Sequence, residues 1–333
     1  MIRRDFLKGA LLSTGIIGGT SLGIKALNGD FDSLKDPLDL PKTLSVDPDN
    51  LQVILLGTGC PLPSLQRAKP AQAVLVGGKI FVVDCGAEVV NRLLQAGLAA
   101  PLIDNIFITH HHTDHNSGFV DLLVSGAAGG SMSGRNKPMN VYGPPNTRTI
   151  IGKLEEHLEW DTYLRNQQAR THPDATRINY HQTDEGLIYD QDGIKVTQFK
   201  VDHGIVKPAV GYRFDYKGKR IVISGDTLPC ENLVQHAQNA DILVHEAYSG
   251  RWLDKAVEMF PERAETAEGI KKYHTSVLDA AEVAKKARVK QLVLTHLIPA
   301  PAPVWYFEKH WAKGVSDIYS GKVAMGRDLM TFM

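Results

Sequence analysis

Seven consecutive residues, Thr109-His110-His111-His112-Thr113-Asp114-His115, constrain this chain more than any other feature. They begin on the last residue of an apolar run, 106–109, that reads as a short strand. His110 and His112 are two apart, so in extended chain they project to the same side. Asp114 and His115 stand just before a stretch, 117–125, with helical periodicity, whose first turn can aim them at the same place. Imidazole and carboxylate are the donors that borderline divalent ions such as Zn²⁺ take. A triple histidine can also be a solvated polar loop, but H-x-H-x-D-H at a strand end is poorly explained that way.

From Leu51 onward the pattern alternates strands with helices. Strands are expected at 52–56, 73–76, 79–83, 140–142, 194–201, 209–216, 220–224 and 242–246, with 291–295 as the last core strand. Helices are expected at 87–96, 117–125, 146–158 and 276–287, with Gly97 closing the first and Ser276 capping the last. Gly77-Gly78 and Lys217-Gly218 mark hairpin turns. The Gly- and Ser-rich segment 126–138 reads as a loop, and 161–185 as a polar insert. Both are expected to shape the mouth of a pocket, since loops on a rigid scaffold set specificity.

Three further residues stand where a strand gives out: His203 in Val201-Asp202-His203-Gly204, Asp226 in Ser224-Gly225-Asp226-Thr227, and His296 in Val293-Leu294-Thr295-His296. Alone, each would be unremarkable. Together with the His110–His115 segment they resemble the signature of the metallo-β-lactamase fold, over roughly Leu51 to the C-terminus. That resemblance implies an α/β (α+β) chain folded as a four-layer αβ/βα sandwich. It also implies two Zn²⁺ ions, with Mn or Fe as alternatives. One would sit on His110, His112 and His203, the other on Asp114, His115 and His296, with Asp226 between them. Paired ions of this kind hold a bridging hydroxide at working pH, which Asp114 would orient and whose proton it would receive as the oxygen attacks.

Tyr273-His274-Thr275-Ser276 and Val244-His245-Glu246-Ala247 resemble the corresponding segments of ribonuclease Z and its relatives. The likeness implies that His274 supports the leaving group and that Glu246 orients it. The bland alternative for His274 is a neighbour of a helix cap without chemistry. His245 reads as structural; His111, His157, His172, His181, His236 and His310 belong to no motif. Ribonuclease Z carries a long flexible arm between the histidine matching His203 and the bridging aspartate, whereas here 204–225 read as a hairpin. That region resembles instead the exported arylsulfatase and phosphodiesterase relatives. The expected substrate is therefore a small sulfate or phosphate ester. The alternatives are a ribonuclease Z-like endoribonuclease, a lactone or carboxylic-ester hydrolase, and a metal-bearing protein without catalysis. Lys207 and Arg213 are candidates for anion contacts, or equally solvated cations.

Composition bears on partners. Of 333 residues, 43% are hydrophobic and 22% charged, and Lys plus Arg equals Asp plus Glu at 37 each, so a sizeable core is available but no basic excess suggests nucleic acid. No nucleic-acid partner is expected; a homodimer is left open. Cys60, Cys85 and Cys230 are odd in number and scattered, which speaks for buried hydrophobes rather than a disulfide framework. Residues 1–30 are a different material. Arg3-Arg4-Asp5-Phe6-Leu7-Lys8 precedes a glycine-dotted, weakly apolar stretch, resembling a twin-arginine export signal. The resemblance implies the twin-arginine machinery as a partner and a periplasmic destination. Residues 31–50, with Pro37, Pro41 and Pro48, read as a linker to a hydrolase domain at 51–333.

Overall fold

The protein is described by a computed structural model covering residues 46–128, 134–168 and 171–333. The expected export segment, 1–30, and most of the expected linker lie outside the described residues. The linker's last residues are fastened to the domain: Tyr216 donates from its hydroxyl to the Pro48 carbonyl at 2.8 Å, and Lys217 pairs with Asp49 at 2.5 Å.

Two mixed seven-stranded sheets lie face to face. The first contains β1 (Leu51–Gly57), β2 (Ala71–Val76), β3 (Lys79–Val83), β4 (Asn105–Phe107), β5 (Met139–Gly143) and β6 (Ile178–Gln182). The second contains β7 (Gly186–Gln191), β8 (Ile194–Lys200), β9 (Val210–Tyr216), β10 (Lys219–Ile223), β11 (Ile242–Tyr248), β12 (Gln291–Ile298) and β13 (Lys322–Met325). β14 (Thr331–Phe332) returns to pair with β1 in the first sheet.

Period-two side-chain alternation builds four layers from these strands. In β1, Val53 and Leu55 enter the core between the sheets, while Ile54 and Leu56 face the helices outside. Likewise Ile221 and Ile223 of β10 point inward and Val222 outward. Strands buried on both faces read as continuous apolar runs, as these do. Helices cover each outer face, giving the expected αβ/βα sandwich. Both hairpin turns behave as expected: Gly77, Gly78, Lys217 and Gly218 all have positive φ, the requirement of the turn that matches strand twist. Ser276 caps the helix Val277–Lys286, its side chain accepting from the Asp279 amide.

Several expectations need correction. The strand at 291–295 is not the last, because β13 and β14 follow it. Residues 161–185 are more than a polar insert: the helix Glu159–Gln167 and strand β6 take up about half of the segment, and β7 follows directly. Nor does the described part of 126–138 border the site. The helix Phe119–Ala127 carries the chain about 13 Å away from the His110–His115 end. There the buried Arg135 donates to the carbonyls of Ile103 and Ala175, which precede β4 and β6, and of Leu123, midway along that helix.

The mouth is bordered instead by the chain after β1 and after β12. The amide of Leu297 donates to the Thr58 carbonyl at 3.1 Å, bringing Gly57-Thr58-Gly59 against His296. A Cβ on Gly57 would stand 1.7 Å from the Lys69 carbonyl oxygen, so only glycine fits. Arg67 locks this loop: it donates to Thr58 Oγ1, Pro301 O, Gly326 O and Glu308 Oε1. Among the described residues, no helix is long and apolar enough to cross a membrane.

Candidate metal centre

Each residue singled out in the sequence for a metal arrives at one edge of the sandwich, all but His296 beyond the carboxyl end of a strand. His110 follows β4 by three residues, and Asp114 and His115 lie in the short helix Thr113–Asn116. His203 follows β8 and Asp226 follows β10, each by three residues. His296 departs from the expected strand end. It lies inside β12 as the extra residue of a β-bulge opposite Glu246 and Ala247, with φ of 45°. A bulge re-aims one side chain out of the ladder, and here that side chain is the ligand candidate.

Asp226 stands at the centre. Its Oδ2 lies 3.3 Å from His115 Nε2, 3.3 Å from His296 Nε2, 3.7 Å from His110 Nε2 and 3.9 Å from His203 Nε2. Asp114 Oδ2 lies 3.4 Å from His296 Nε2. Among the described residues, three overlapping sets of donors stand close enough to share an ion: His110, His112, His203 and Asp226; Asp114, His115 and His296; and Asp226, His274 and His296. The first two correspond to the groups the resemblance implied. Asp114 Oδ2, His115 Nε2, Asp226 Oδ1 and His296 Nε2 are all buried without a hydrogen-bond partner. Orphaned acceptors and ring nitrogens in one place cost free energy unless something binds them. A divalent cation fits that donor set.

The charges say the same. Burial works against ionising Asp114, yet His115 and His296 hold its carboxyl down at about 2. Burial likewise disfavours a charged His115, but Asp226, Asp84 and Asp114 outweigh it and push the imidazole well above its ordinary range.

Asp84 is the functional residue that the sequence reading missed. It is buried, with φ of 55°, at the end of β3. Its Oδ1 accepts from the Thr109 amide, and its Oδ2 accepts from Thr109 Oγ1 and lies 2.8 Å from His115 Nδ1. The available signal was Val83-Asp84-Cys85-Gly86, an acidic residue closing an apolar strand. His203 is oriented in the same manner, donating from Nδ1 to the Tyr273 carbonyl at 2.7 Å. Partners of this kind fix the tautomer and direction of ligating histidines.

His274 and Glu246 also meet beside the cage. Glu246 Oε1 lies 3.0 Å from His274 Nδ1 and accepts from the amides of Thr227 and Thr275 at 3.1 Å each. Burial lowers the His274 pKa, but the Glu246 and Asp226 carboxylates more than offset it and leave it raised. Lys207 is exposed in the loop after His203. Arg213 has no place in the site, since it lies in β9 and forms a bidentate pair with Asp215. His245 is buried, with Nδ1 bonded to the Glu246 carbonyl.

Comparisons with known proteins give the family. A family model described as "Beta-lactamase superfamily domain" matches residues 80–297. A protein named ribonuclease Z from Mycobacterium sp. (strain KMS) is 34% identical over 282 residues, 84% of this chain and 94% of that protein. The ribonuclease Z of Mycobacterium bovis (strain BCG / Pasteur 1173P2) is 33% identical, covering 84% of this chain and 96% of its own length. The crystal structure of the short form of human tRNase Z superposes with a TM-score of 0.57 at 26% identity, over 85% of this chain and 98% of that one. These relatives favour the ribonuclease over the sulfatase side of the sequence reading. The chain belongs to the metallo-β-lactamase superfamily, in its ribonuclease Z-like branch, and is a metal-dependent hydrolase.

Proposed function

We propose that the chain is a ribonuclease Z-like phosphodiesterase that hydrolyses RNA, with two divalent ions, zinc before manganese or iron, held by His110, His112, His203, Asp226, Asp114, His115 and His296. The observation that carries this reading is the buried His274–Glu246 pair beside the cage, which zinc storage alone would not need. Bound divalent ions would supply Lewis acidity at the phosphoryl oxygens and a water acidified toward neutrality.

The chain's own groups supply the rest. The attacking water's oxygen bonds to phosphorus while the bond from phosphorus to the leaving oxygen breaks. Asp114 accepts the proton that the water loses. His274, with Nδ1 held by Glu246, turns its other ring nitrogen to the leaving oxygen and donates the proton that oxygen needs. The backbone amides of Thr227 and Thr275 keep Glu246 aimed at His274.

A second reading rests on the connection between His203 and Asp226. The β9–β10 hairpin fills it, closed by Lys217-Gly218, and leaves no arm for a large RNA. That favours a small phosphate or sulfate ester. The test compares zinc-loaded protein on a tRNA transcript, single-stranded RNA, bis(p-nitrophenyl) phosphate, p-nitrophenyl sulfate and a lactone. Cleavage of RNA and of the phosphodiester, both abolished on chelation, is expected. Sulfatase or lactonase activity with inert phosphodiesters would overturn the proposal.

A further inference from the structure

We propose that single-stranded RNA runs along a cationic and aromatic groove on the outer side of the second sheet, an inference that rests on the ribonuclease Z-like reading. Two adjoining depressions, of about 530 Å³ and 900 Å³, share Lys313. The smaller begins at the rim of the metal centre: Tyr248 and Ser276 line it, and the Tyr248 amide bonds to the carbonyl of Thr275, the residue after His274. The larger continues beside the edge strand β13, past Trp305 and Tyr306.

Four exposed cations line this path. Arg251 and Lys255 lie in the helix Gly250–Met259, and Lys309 and Lys313 lie on and just beyond the helix Trp305–Trp311. Each pair is four residues apart, so each presents one helical face. Among the described residues, none of the four has a carboxylate within ion-pair distance. Of the four acids on the path, two are held by other cations. Asp254 is taken by Lys271 at 3.2 Å, and Glu308 by Arg67 and Arg327, leaving Glu258 and Asp317. The excess is positive, although the whole chain is neutral.

Trp305 is 65% exposed and Tyr306 53%. Lys309 Nζ lies 5.7 Å from the centroid of the Trp305 ring, and His310 packs against Tyr306. Large exposed aromatics flanked by unpaired cations suit a strand whose bases stack and whose phosphates are neutralised, without regard to sequence. The groove starts at the site's rim, so it would hold the strand that the absent arm does not.

The test uses metal-loaded protein and a fluorescein-labelled oligouridine, with binding followed by anisotropy over a range of salt. The parent should bind with an affinity that falls as salt rises. Replacing Arg251, Lys255, Lys309 and Lys313 by glutamine should flatten that dependence, by about 0.7 in slope for each phosphate no longer neutralised. Trp305→Ala with Tyr306→Ala should weaken binding roughly tenfold or more. Neither variant should change hydrolysis of bis(p-nitrophenyl) phosphate. The groove is disproved if the parent does not bind or both variants bind as the parent does. It is equally disproved if the aromatic variant turns a dimeric parent monomeric in sedimentation. Groove-dependent binding without any phosphodiester hydrolysis would sustain the groove and remove the enzymatic reading; hydrolysis without it would do the reverse.

Discussion

Asp84 and His115, thirty-one residues apart in sequence, meet at 2.8 Å in the interior, carboxylate oxygen to Nδ1. The contact leaves Nε2 of His115 facing Asp226 and so decides which nitrogen can take a metal. Asp84→Asn should lower metal affinity about 10–100-fold, measured by competition with a chromophoric chelator. Unchanged affinity in a folded variant would remove the orienting role.

The His274–Glu246 pair predicts a dependence on the leaving group. His274→Ala should lower kcat about 10²–10⁴-fold on substrates with poor leaving groups, and much less on nitrophenyl esters, whose leaving oxygen needs no proton. Glu246→Gln should move both in the same direction by less. Equal losses on both substrate classes would mean that His274 only supports the fold.

Behind the mouth, Arg67 and Glu308 form a buried pair at 3.2 Å, with Arg327 on the second Glu308 oxygen at 2.7 Å. Removing one partner leaves an uncompensated buried charge, which costs about 3–5 kcal/mol. Glu308→Ala should therefore lower the urea midpoint by that stability, with the slope preserved. A loss below about 1 kcal/mol, the size of a surface pair, would show that the cluster is hydrated.

Export through Arg3-Arg4 is a proposal with its own test. Lysine at both positions should keep the chain in the cytoplasm, as judged by fractionation and immunoblot. Full delivery of the double-lysine variant to the periplasm would sink the twin-arginine reading.

The sequence alone supplied the two periods and the ligand types. Alternating apolar runs can be buried on both faces only in a layered sheet structure. His110, His112, Asp114 and His115 are close in sequence, so local geometry brings them together in any fold that has β4. The paired glycine and lysine-glycine turns were legible for the same reason, because their positive φ is a local requirement. Long-range packing decided the rest. Asp84 becomes an orienting partner of His115 only because β3 and β4 lie side by side, and the bulge at His296 depends on the register between β11 and β12. Segment 161–185 looked polar because the helix Glu159–Gln167 buries none of its residues and β6 lies at the sheet's edge. The four groove cations come from positions 251, 255, 309 and 313, so a neutral composition concealed a local excess that arises only when separate helices pack together.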